Sequence, residues 1–189
     1  MKKSVFAMSV LSLALLSGAA SANVNDSNLG ANNVRILGTV SQITCNLVPH
    51  VNGSVTNVVN VGVVPVGSAA TPSAGLEIPF SLKIDGKNTD GTTGCPAIKD
   101  AITANISFMG ALNDKGLTNQ SGTASDSYVE IVAKNSNDSK TTALVQGDNV
   151  RTVAGTELVA NGAQFTAKLR GGATAGSYES AIAYQVQYQ

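Results

Sequence analysis

Hydrophobic residues recur at every second position towards the end of the chain. Ile182, Tyr184, Val186 and Tyr188 alternate with Ala183, Gln185 and Gln187, the pattern of a strand with one buried face. The same alternation marks Ile78–Ile84, where Ile78, Phe80, Leu82 and Ile84 oppose Pro79, Ser81 and Lys83. It marks Ala101–Met109 through Ile102, Ala104, Ile106 and Phe108, and Tyr128–Ala133 through Val129, Ile131 and Ala133. Phe165, Ala167 and Leu169 repeat it before Gly171-Gly172. Val34, Ile36, Gly38 and Val40 form a further strand, whose parity changes by Ile43 and Cys45. That change predicts a bulge or kink near Gly38 or Ser41. The valine-rich run Val55–Val66, broken by Asn60, Gly62 and Pro65, predicts one strand and a turn. Ala143–Arg151 and Val153–Val159 give weaker strand signals, while Ala69–Gly75, Asp85–Gly94 and Asn113–Ser127 read as loops. About seven to nine short strands between turns predict an all-β sandwich or barrel. No stretch promises a useful helix, and no internal repeat is evident.

The last strand reaches the final residue, so its far edge has no following strand to pair with. An uncovered edge is a liability. The expectation is a protein completed by another chain.

At the other end, Met1-Lys2-Lys3-Ser4 precedes an apolar run from Val5 to Leu16 and the small residues Ala20-Ser21-Ala22. This is the layout of a secretory signal peptide over 1–22, and the run falls short of the ~20 residues a membrane span needs. The mature chain then starts at Asn23 and has 167 residues, enough for one domain. It carries ten basic and twelve acidic residues, a net −2, with no long basic run. Nucleic acid and anionic membranes are therefore poor partners. Export places Cys45 and Cys95 in an oxidising compartment, which favours one disulfide over two free thiols. Closing a loop of about 50 residues contributes roughly 4 kcal/mol in the chain-entropy account. The two cysteines and the single His50 lack a zinc-like spacing, and His50 after Pro49 reads as a loop residue. Asp85, Asp90 and Asp100 do not follow a calcium-loop spacing. No nucleophile–base pair or metal set is discernible, so no enzyme, cofactor or metal is expected. Tyr178, Tyr184 and Tyr188 read as sheet-packing residues, not sugar platforms. The sequons at Asn105 and Asn119 read as chance products of an Asn- and Ser-rich chain.

Several motifs now stand in order. Ile36-Leu37-Gly38-Thr39-Val40 leads to Cys45; Val61-Gly62 follows; Pro79-Phe80-Ser81-Leu82 precedes Cys95; Gly176 lies thirteen residues before the end and Tyr188 is penultimate. Together they resemble the subunits of chaperone–usher fimbriae (pilins), over the whole mature chain. Two departures are the polar stretch Asp85–Gly94 before Cys95 and an arm poor in large apolar residues. The resemblance implies an incomplete immunoglobulin-like β-sandwich lacking its last strand, residues 38–189, behind an N-terminal donor-strand arm, residues 23–37. It implies that Gly30, Asn32, Val34 and Ile36 point into a neighbour's groove, with the opposite parity through Leu29 and Ala31 as the other register. Gly176, Ile182, Tyr184, Val186 and Tyr188 would form the strand beside the groove. Expected partners are identical or related subunits in a head-to-tail polymer, a periplasmic chaperone and an outer-membrane usher. The expected location is a cell-surface fimbria reached through the periplasm. The other function in view is a single-domain adhesin or minor tip subunit that binds a host receptor, with Asn113–Ser127 as its candidate loop.

Overall fold

The structure, a computed structural model, describes residues 45–84, 98 and 102–189. All of these lie in one compact unit, Thr39–Gln189. The expected signal peptide, the donor-arm residues Gly30, Asn32, Val34 and Ile36, the bulge near Gly38 or Ser41, Cys95, and Asp85, Asp90 and Asp100 fall outside the described residues.

The strands are β1 (Leu47–Val51), β2 (Ser54–Val55), β3 (Ser73–Ile84), β4 (Thr103–Gly110), β5 (Leu117–Thr118), β6 (Tyr128–Ala133), β7 (Val150–Ala154), β8 (Ala163–Gly171) and β9 (Ile182–Tyr188), with one short helix α1 (Gly155–Ala160) between β7 and β8. They form a six-stranded sheet in the order β2-β1-β3-β8-β6-β5 and a three-stranded sheet in the order β7-β4-β9. Every strand pair is antiparallel. The expected all-β sandwich is the fold.

Period-two alternation decides which residues fill it. Ala104, Ile106 and Phe108 of β4 are at most 1 % exposed, and Val129, Ile131 and Ala133 of β6 and Phe165, Ala167 and Leu169 of β8 face them from the other sheet. Phe165 joins the layers: its ring stacks on Phe80 at 5.3 Å and takes Phe108 edge-on at 5.2 Å. Pro79 sits in a central strand yet costs no ladder bond on the β1 side. β3 pairs with β8 there, while its pairing with β1 starts only at Phe80.

Several expectations need correction. Of Val55–Val66, only Val55 is in a strand; residues 57–66 run without ladder partners. β3 begins at Ser73, inside the stretch read as a loop, because Ser73 and Ala74 find partners on β8. His50 lies in β1, paired with Ser81 and Val55, and is not a loop residue. The weak signal Val153–Val159 splits: β7 ends at Ala154 and α1 follows, burying Leu158. The loop Asn113–Ser127 contains β5 and buries Leu117, Ala124 and Ser127.

Candidate functional site: an open groove beside the last strand

β9 closes one end of the three-stranded sheet. Its register with β4 runs from Ala104↔Tyr188 to Gly110↔Ile182, and no described strand lies along its other side. Three tyrosines tie this part of the chain to the rest. The Tyr184 hydroxyl donates to the Leu47 carbonyl (2.7 Å), that of Tyr188 to the Cys45 carbonyl (2.9 Å) and that of Tyr178 to the Leu117 carbonyl (2.9 Å). Burial pushes the Tyr178 and Tyr188 phenols up to about 12 and raises Tyr184 as well. Ile182 and Val186 pack against the core.

A groove of about 900 Å³ opens between the two sheets. Its floor is made of core side chains, among them Leu82, Phe108, Leu117, Val129, Ile131 and Leu169. Segment 57–66 forms one bank and segment 174–184 the other.

On the first bank, Val59, Val61 and Val64 pack against the core, while Val58, Val63 and Val66 face out at 67, 98 and 58 % exposure. Among the described residues its main chain makes no main-chain hydrogen bonds. Thr56 Oγ1 accepts from the Val58 amide and Asn60 Oδ1 from the Gly62 amide. The bank is anchored at its end, where the Gly67 amide donates to the Gly172 carbonyl (2.7 Å). Gly171 permits that approach: a Cβ there would sit 2.7 Å from the Pro65 carbonyl oxygen and 2.8 Å from Val64 Cγ2.

The second bank leaves β8 through a turn held by Asp126, whose carboxylate accepts from the Ala173 (2.6 Å) and Thr174 (3.0 Å) amides. These main-chain donors, Ala173 first, hold the carboxyl below its usual range. Gly176 then lies against the 119–124 loop so closely that a Cβ would fall 2.7 Å from the Ala124 nitrogen. From Ser177 to Ala181 the chain is bonded on one side only. The Ser177 and Glu179 carbonyls accept from the Ala124 and Gln120 amides (3.0 and 2.9 Å). The Ser177, Glu179 and Ala181 amides donate to Thr123 Oγ1, Asn119 Oδ1 and Gln120 Oε1 (3.0, 3.0 and 2.7 Å). Among the described residues no hydrogen bond reaches the main-chain groups of Tyr178 or Ser180, which alternate to the other side.

Of the residues singled out from the sequence, the structure places Ile182, Tyr184, Val186 and Tyr188 on β9, with Ile182 and Tyr184 lining the groove, while Gly176 lies ahead of the strand, on the bank against the 119–124 loop. Cys45 is buried at 8 % exposure and is not a free thiol. Sequence reasoning missed Asn119, Gln120 and Thr123, which hold the second bank; the polar loop 113–127 gave no period to mark them. Among the described residues no cluster of His, Cys, Asp or Glu is arranged to hold a metal ion.

Two facing antiparallel sheets with an apolar groove between them define a β-sandwich, and among the described residues no strand continues the sheet beyond β9. No family model matches the chain. It is 34 % identical over 195 aligned positions to the F107 fimbrial protein of Escherichia coli, covering all of both chains. The chain belongs to the fimbrial subunit family.

Proposed function

We propose that this chain is a structural subunit of a surface fimbria that polymerises by strand donation. The observation that carries the reading is the groove: an apolar floor between two banks, on both of which main-chain donors and acceptors have no partner among the described residues. An extended segment laid between them would satisfy both edges and place alternate side chains on the floor, which is strand addition to a sheet. The donor is the arm 23–37 of the next subunit, with Gly30, Asn32, Val34 and Ile36 towards the floor. Because donor and acceptor are different surfaces, the contact is head-to-tail and grows an open fibre, not a closed ring. Before assembly a periplasmic chaperone fills the groove, and an outer-membrane usher passes subunits to the surface. A Cys45–Cys95 disulfide holds the start of β1. The engagement of Cys45 supports that pairing.

In the candidate loop of the adhesin reading, Asn119, Gln120 and Thr123 accept hydrogen bonds from the chain's own main chain, a structural role that favours the subunit reading.

Deleting residues 23–36 tests the reading. The truncated subunit should still accumulate with its chaperone but add nothing to a growing fibre, as read by electron microscopy and by the ladder of oligomers on unheated gels. Fibres of normal length from the truncated subunit would refute strand donation by this segment.

A further inference from the structure

β4 supports the last strand only as far as Gly110↔Ile182. Five residues before that point, Ser177 to Ala181, have no described strand beside them, yet they keep an alternating one-sided pattern of bonds. The 119–124 loop supplies it. Asn119 is central: its Nδ2 donates to the Ala124 (2.9 Å) and Ser177 (3.1 Å) carbonyls, and its Oδ1 accepts from the Gly122 (2.9 Å) and Glu179 (3.0 Å) amides. These four bonds use the full capacity of the amide group. Half of them shape the loop, and half hold the bank. Gln120 continues the pattern by accepting from the Ala181 amide and the Ser180 hydroxyl (3.1 Å).

We propose that the 119–124 loop acts as a surrogate strand that lengthens the accepting edge beyond β9, with Asn119 as its positioning residue. The inference rests on the strand-donation reading. By engaging Ser177, Glu179 and Ala181 from outside, the loop fixes the segment in extended form and turns the free groups of Tyr178 and Ser180 towards the groove. A donor strand then pairs with these as well as with β9. Without the loop, the five residues have neither edge held, and ordering them falls to the donor, at the expense of affinity.

Hydrogen exchange on assembled fibres tests this. In wild-type fibres the Tyr178 and Ser180 amides should be protected, although no described residue of the subunit bonds them. Asn119→Ala should leave β9 protected but release Tyr178 and Ser180, and its fibres should dissociate in denaturant about tenfold faster or more, the effect of losing one or two such bonds. Asn135→Ala is the control for mere destabilisation. Asn135 likewise bridges two segments, donating to the Gly162 carbonyl and accepting from the Gln164 amide (both 2.8 Å), but on β8 away from this bank. Its fibres should keep Tyr178 and Ser180 protected. If Asn119→Ala fails to fold, Gln120→Ala, which removes only the outer contacts, carries the same comparison. Wild-type fibres whose Tyr178 and Ser180 amides exchange freely would overturn the surrogate strand and leave strand donation standing, as would full protection in both variants. Failure of the wild-type chain to polymerise would instead remove the underlying reading.

Discussion

Tyr188 shows how one side chain serves two demands. Its ring continues the apolar face of β9, and its hydroxyl reaches across to the Cys45 carbonyl. Tyr178 does the same towards Leu117. Both phenols are pushed up to about 12 by burial, which favours the neutral form in the folded state. An unfolded tyrosine titrates near 10. The stabilisation is therefore complete below about pH 10 and is lost as pH rises towards about 12. Denaturation midpoints of the mature chain should stay level from neutral pH up to that window and fall within it. Tyr188→Phe should cost about 1 kcal/mol at neutral pH, since it leaves the Cys45 carbonyl without this donor. It should also make the alkaline fall shallower. An unchanged alkaline slope in Tyr188→Phe would mean the phenol is not the titrating group. Arg151 is a different kind of surprise. It is fully buried, with its guanidinium donating to the carbonyls of Val150 (2.7 Å), Thr142 (3.1 Å) and Ala143 (3.3 Å) and to Asp148 Oδ1 (3.1 Å). It pins the loop before β7, and its alternate position in a weak strand signal gave no hint of that.

At the scale of elements, the groove depends on two segments that are not strands by pairing. Each is held in extended form by a glycine contact at one end, Gly171 for the first bank and Gly176 for the second. Gly176→Ala drives a methyl group into Thr123 and the Ala124 nitrogen. Overpacking of this kind costs about 1–3 kcal/mol. Because the strain falls on the bank and not on the Phe108–Phe165 core, fibre growth should slow more than the far-ultraviolet spectrum or thermal midpoint changes. A large loss of thermal stability with normal growth would place the role of Gly176 in the core instead. The helix α1 illustrates the opposite case. Six residues cannot form a stable helix alone. This one exists because the Gly155 amide donates to the Ile102 carbonyl (2.7 Å) and Leu158 is buried at 1 % exposure.

For the whole molecule, a sandwich with one three-stranded layer buries less than a closed one, and a covalent tie near its start matters correspondingly more. The Cys45–Cys95 pairing proposed above closes a loop of about 50 residues, worth roughly 4 kcal/mol in the chain-entropy account. Replacing both cysteines by serine should lower stability by about that amount. The wild-type chain should take up no alkylating reagent until it is reduced, as read by mass. Full alkylation without reductant would end the proposal.

The sequence by itself determined the class of fold and the main strands. β4, β6, β8 and β9 follow directly from alternating side chains, because a strand with one face on a core writes period two into its own residues. Tyr188 was legible for the same local reason, by its parity on the last strand, whereas Gly176 stood out only through the resemblance to fimbrial subunits. Tertiary structure decided the rest. Whether the valines of 57–66 form a ladder or a bank depends on which neighbours lie beside them, and a run of valines reads the same either way. Val153–Val159 had apolar content but no period, so packing of Leu158 settled strand against helix. The roles of Asn119, Gln120 and Thr123 could not be read at all, since a side-chain amide or hydroxyl facing a main chain 54 to 61 residues away leaves no mark on the residues next to it.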